Sequence, residues 1–184
     1  MSSDHKKPLL ANLPLNRTIS EQNNIKIIIY NKEKYTEKQI VDWKELLTYD
    51  YTDTNTLYWI DIIGLHQIDA VLDDLFVPEQ RPKLQNFNDY LYLILRDLWY
   101  NKENEEIEVE QLSFIIGINF VISVQERAGD VFEEVRTKLR NPNKKASVKT
   151  ERNLSIDYLL YSLISAIIDN FFLILEKLDD EIEE

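Results

Sequence analysis

The sequence has 184 residues, 44% of them apolar, enough to fill a real core, which excludes a disordered tail and suits one domain with an attached helix. Acidic residues outnumber basic ones 33 to 21, a formal net charge of −12, so the phosphates of a nucleic acid would be repelled. That balance fits a cation-binding surface, and it serves plain solubility equally well.

Residues 1–22 are polar, carry Pro8 and Pro14, and read as a flexible lead-in with no signal peptide. Asn24 to Tyr30 is short and β-branched, hence a strand. Thr36 reads as a helix cap, with Ile40, Trp43, Leu46 and Leu47 at helical spacing behind it. Leu57 to Ile63 is a second strand ended by Gly64, and Ile68 to Phe76 reads as a short helix. Three strands are expected next, over Lys83 to Phe87, Tyr90 to Tyr100 and Ile107 to Ile116, with Asn101 to Glu105 as a polar turn. Gly117-Ile118-Asn119 turns the chain into Phe120 to Gln125, predicting a hairpin. Ile107 and Val109 fall on one alternation phase, and Leu112, Phe114 and Ile116 on the other. A bulge or twist is therefore expected near Gln111.

Val131 to Leu139 reads as a helix capped by Asp130, and Asn141 to Lys149 as a basic connector. Ser155 or Asp157 opens a long helix running to Glu184, apolar nearly all round between Leu159 and Leu175 and so expected to be largely buried. Its apolar stripe then narrows to Phe171, Leu175, Leu178 and Ile182. The last turns are acidic and lack a stop signal, so the helix reads as unfinished. Leu112 to Val124, taken as the most apolar stretch, is shorter than the roughly 20 residues of a spanning helix. No segment is expected to cross a bilayer. Strands grouped in mid-chain between helices predict an α+β fold, a mixed β-sheet sandwiched between helices in αβα layers. The domain would cover residues 23–150, and residues 151–184 would form the long helix that begins the region leading to a stalk.

No enzyme signature emerges. The three glycines make no phosphate loop, no nucleophile elbow is present, and His66 reads as a turn or cap residue. The chain contains no cysteine, and only His5 and His66 offer imidazole. Any metal would thus meet carboxylate and carbonyl oxygen, which favours Mg2+, Ca2+ or Mn2+ over structural zinc. Asp73 and Asp74 form an acidic pair inside an apolar run. Successive helical residues diverge by about 100°, so the two would not chelate one ion unaided. Either they offer hard oxygen ligands toward a neighbouring surface, or they are a solvated helix face. The acidic tail from Asp179 to Glu184 reads as the wet side of a helix.

Five blocks in order resemble the CorA family of magnesium and cobalt transporters: Trp59-Ile60-Asp61-Ile62, Gln80-Arg81-Pro82-Lys83, Glu106 through Gln111, Gln125 through Phe132, and Asp157 through Leu163. The similarity covers residues 25 to 184. It implies the cytoplasmic, Mg2+-sensing domain of a homopentameric channel in the cell membrane, anchored through later helices that are absent here, with no enzymatic activity. It also implies that Asp74 contributes the main regulatory Mg2+ site, facing a neighbouring subunit, and Asp73 a secondary one, with Co2+ or Ca2+ as substitutes. Two departures stand out. The segment between His66 and Ala70 is about a dozen residues shorter than the family's, and Ser165 stands where the family often has an aspartate. A zinc-transporting branch of the same fold, or a stand-alone soluble binding module, are the alternative readings.

Overall fold

The structure, a computed structural model, describes residues 24–64, 81–101, 104–126, 131–142 and 155–183. Seven strands form one mixed sheet: β1 (Asn24–Tyr30), β2 (Tyr35–Ile40), β3 (Leu57–Ile63), β4 (Lys83–Asn86), β5 (Leu91–Asn101), β6 (Glu106–Ile116) and β7 (Phe120–Gln125). Their spatial order is β2-β1-β3-β7-β6-β5-β4. Only the central β3–β7 pair is parallel. Those two strands are buried on both faces, and their mostly apolar character follows from that, with Asp61, Ser123 and Gln125 as the buried polar exceptions. Two helices follow in the described residues, α1 (Glu133–Arg140) and α2 (Ile156–Glu183). The α+β class with a mixed sheet and a long C-terminal helix is as expected.

The pleat divides the core in two. On one face Ile28, Trp59, Leu112, Phe114 and Val121 meet Phe132, Val135 and Leu139 of the α1 segment and Leu159, Leu163 and Ile167 of α2. On the other, Ile27, Ile60, Ile62, Ile94 and Ile122 share a cluster with Leu46, Tyr51 and Phe120. Leu46 belongs to a 3-10 helix, Trp43–Thr48, capped by Asp42, whose carboxylate accepts from Lys44 N.

Several expectations are corrected. Thr36 caps nothing, because it lies in β2, an edge strand that pairs with β1 from Tyr30↔Tyr35 to Ile25↔Ile40. The turn is dictated by Asn31, whose Oδ1 accepts from Glu33 N and Lys34 N. Only Ile40 of β2 is buried, so the strand carries no apolar alternation to betray it. No bulge interrupts β6. Its register against β5 runs unbroken from Asn101↔Glu106 to Leu91↔Ile116. The apolar phase switches because the two faces differ at this end of the hairpin: Val109 lies on a face that no described residue covers and is exposed, whereas Glu110 on the opposite face, toward α2, is buried. Helix α1 starts after Phe132, which makes no side-chain cap bond; Asp130, the expected cap, lies outside the described residues, as does the expected helix Ile68 to Phe76.

Helix α2 is less buried than its composition predicts. Leu159, Leu163, Ile167 and Ile174 are covered, while Ile168, Phe172, Leu173 and Leu175 are exposed. Only one stripe of the cylinder rests on the sheet, and no described residue covers the rest. Leu175 and Ile182, expected to continue the packed stripe, are both exposed. The stretch Ile156–Asp180 is also long and apolar enough to cross a membrane by length and composition, contrary to the expectation that no segment is. Its inner stripe packed on the sheet is equally what the core helix of a folded domain shows.

Candidate functional site

Asp73 and Asp74 lie outside the described residues, as does His66. The described chain stops before them at Gly64, which ends central β3 with φ 89° and donates to Gln125 O, and resumes at Arg81 just before edge strand β4. Ser165 is half-buried on α2. Asp179 and Asp180 are exposed. Among the described residues no group of three or more His, Asp or Glu side chains is arranged to hold a metal ion.

Two polar networks inside the fold do bring functional groups together. The first ties α1 to the parallel strand pair. Asp61 of β3, 1% exposed, accepts from Ser123 Oγ at 2.6 Å, Gln125 Nε2 at 2.9 Å and Arg136 at 3.0 Å. Trp59 Nε1 donates to Ser123 Oγ at 2.8 Å, and the Arg136 guanidinium lies 5.5 Å from the centre of the Trp59 ring. Arg136 also donates to Glu133 Oε2 at 3.0 Å. Burial pushes the Asp61 carboxyl up, and the three donors oppose it. Ser123 is fully buried, so this hydroxyl–carboxylate pair has no access to a substrate and is a structural tie. Asp61 was legible as one block of the family resemblance, but its partners were not, since they come from positions more than 60 residues away.

The second network lies under α2 near the free end of the β5–β6 hairpin. Asp97 of β5 and Glu110 of β6 are direct cross-strand partners, 5% and 7% exposed. Asn170 of α2 donates to Asp97 Oδ1 at 3.0 Å and to Leu98 O at 2.8 Å, and Leu98 N donates to the same Oδ1 at 2.9 Å. Burial pushes the Asp97 carboxyl up against these bonds. Neither Asp97 nor Asn170 is among the candidate residues that the sequence marks out. The available signal is an acidic residue on the same face of β5 as Leu91, Leu93 and Leu95, and a lone asparagine in the inner stripe Leu163, Ile167, Asn170, Ile174.

This mixed sheet, with one parallel central pair and a long helix along one face, is shared with soluble domains of known structure. The soluble domain of CorA from Methanocaldococcus jannaschii superposes with a TM-score of 0.57 at 19% identity, over 85% of this chain and 61% of that one. The cytoplasmic domain of ZntB from Vibrio parahaemolyticus does so at 0.52 and 18%, over 85% and 63%. At these identities the likeness is one of fold. Sequence carries the assignment further. The family described as CorA-like Mg2+ transporter protein matches residues 44–184. The cobalt/magnesium transport protein CorA of Thermotoga maritima is 36% identical over 176 residues, 89% of this chain. The chain belongs to the CorA-like family. It spans 48% of that relative's length.

Proposed function

We propose that this chain is the cytoplasmic regulatory domain of a divalent-cation channel, carrying Mg2+ and also Co2+, that senses interior Mg2+ and closes the pore when the ion is abundant. The observation that carries the reading is the family match over residues 44–184, joined to 36% identity with a cobalt/magnesium transport protein. Within it, Asp74 supplies the main regulatory carboxylate and Asp73 an auxiliary one, each facing a neighbouring copy in a homopentamer whose later helices enter the cell membrane. Mg2+ bound at such a seam screens facing carboxylates and holds the copies together; its loss lets them repel and rearrange. The net charge of −12 makes the ion's screening matter, and the exposed apolar side of α2 supports contact with further helices. The role is one of gating rather than catalysis. Zinc is the weaker reading, because the likeness to ZntB is one of fold at 18% identity, whereas the 36% relative is named for cobalt and magnesium.

The full-length protein in vesicles gives the test. Millimolar Mg2+ on the side of this domain is expected to suppress Mg2+ entry in the wild type. Asp74→Ala is expected to relieve that suppression, and Asp73→Ala to relieve it less. Suppression of equal strength in Asp74→Ala would remove these carboxylates from the sensing role, and absence of Mg2+ entry altogether would remove the transport reading.

A further inference from the structure

We propose that Asp97, facing Glu110 and gripped by Asn170, is a proton-operated latch: protonation seats the distal half of α2 on the sheet, and deprotonation loosens it. The inference rests on the fold and is independent of the transport reading.

Asn170 is the single polar residue in the buried stripe of α2, between Ile167 and Ile174, and its amide makes the two bonds that fix where the helix meets β5. A lone polar residue in an apolar seam sets register at some cost in stability. The cost is raised here by what lies beneath. Asp97 is 5% exposed, and among the described residues no cation pairs with it. Its cross-strand partner Glu110 is of the same sign and also buried, and like charges directly opposite one another destabilise a sheet. Two residues further along β6, on the same face, stands Glu108, another carboxylate, which accepts from Asn101 Nδ2. On β5 the neighbouring Arg96 alternates to the opposite face and is exposed. From α2, Lys177 is engaged elsewhere, with its ammonium 4.5 Å above the Tyr100 ring, while Asp169 and Glu176 are exposed. Among the described residues, the charged groups that flank Asp97 on this face of β6, Glu110 and Glu108, are acidic.

The two bonds to Asp97 both end on Oδ1, so Oδ2 can take a proton while Asn170 and Leu98 keep their hold. A carboxyl that is buried when α2 is seated and hydrated when it lifts binds its proton more tightly in the seated state. Seating is then strongest below the ordinary aspartate value of 3.8 and weakens as pH rises through the higher value of the seated state.

Hydrogen exchange over residues 170–180 between pH 4 and pH 8, corrected for intrinsic exchange, tests this. Protection in the wild type is expected to fall with rising pH, by up to about tenfold for each unit separating the two values. Asp97→Asn, which keeps an acceptor oxygen for Asn170 but cannot ionise, is expected to abolish that slope and keep the helix protected at pH 8. An equal slope in Asp97→Asn, or none in the wild type, overturns the latch. A carboxyl carbon NMR titration of the wild type reads the same point without a variant. A midpoint for Asp97 above 3.8 is expected, and one at or below it overturns the proposal.

Discussion

A methyl group on Gly117 would sit 2.1 Å from Cε1 of Phe120, closer than any two carbons can rest. The Phe120 ring has nowhere to go, since it is buried and its centre lies 5.7 Å from that of Tyr51 in an edge-on contact. Gly117→Ala is therefore expected to cost about 1–3 kcal/mol, the range of overpacked cores, as measured by urea unfolding. A value near zero would mean that the β6–β7 turn can yield enough to admit the methyl group. The Asp61–Arg136 pair makes a second prediction at this scale. Arg136→Met strands a buried carboxylate with only Ser123 and Gln125 as donors, and about 3–5 kcal/mol is expected to be lost at neutral pH. Adding Asp61→Asn removes the stranded charge, so the double variant is expected to be more stable than Arg136→Met alone. A double variant less stable than the single would show that Asp61 holds the strands by itself.

Edge strand β2 is tied to α1 by a charge clasp that reports on pH. Glu37 accepts from Arg140 at 2.7 Å and Tyr35 at 2.8 Å and pairs with Lys26 at 3.2 Å. Partial burial pushes its carboxyl up, but bonds from Arg140, Tyr35 and Lys26 outweigh that and hold it down at about 2, against an ordinary 4.5. A depressed folded value contributes stability that is present above pH 4.5 and lost as pH falls toward 2. Glu37→Gln is thus expected to cost stability at pH 7 and little at pH 2.5. Because the site is largely solvated, the Glu37–Arg140 coupling in a double-mutant cycle is expected to be only about 0.5–1 kcal/mol. A difference that stays constant with pH would mean that the clasp is packing rather than charge. This strand also shows where a sequence stops being legible. β1, β3 and β7 are readable because burial demands β-branched and aromatic residues at most of their positions. β2 is a strand only because β1 offers it a ladder, and its polar run Tyr35–Ile40 carries no local sign of that. The apparent phase switch in β6 is a case where alternation misleads: Val109 is apolar but exposed, and Glu110 is charged but buried. Asp97 and Asn170 went unread because a strand and a helix 73 residues apart had to be brought together before either polar residue had meaning. Asp73 and Asp74 were legible through family resemblance alone; their own spacing favoured no ligand geometry.

For the molecule as a whole, the long helix has two sides with different obligations. Its inner stripe holds the domain together, and Ile167→Ala, at a residue 2% exposed, is expected to cost about 2–5 kcal/mol. Its outer side presents Ile168, Phe172 and Leu175, all exposed and spaced four and three residues apart so that they form one ridge. Nothing within the described chain needs that ridge, so replacing Phe172 and Leu175 together by lysine is expected to leave unfolding of this chain within about 0.5 kcal/mol of wild type. An apolar ridge left in water favours association, so the same double variant is expected to sediment as a monomer at concentrations where the wild type self-associates, and to bind less of a hydrophobic dye. The two readouts separate the alternatives. Loss of folding in the variant would show that the ridge is buried within a single copy. Unchanged folding and unchanged association would show that any contact between copies is made elsewhere than this ridge. Unchanged folding with lost association would place the ridge of α2 at a seam between copies, on the opposite side of the helix from the Asp97 latch. One helix would then link the proton state of a protomer's interior to the way the copies meet.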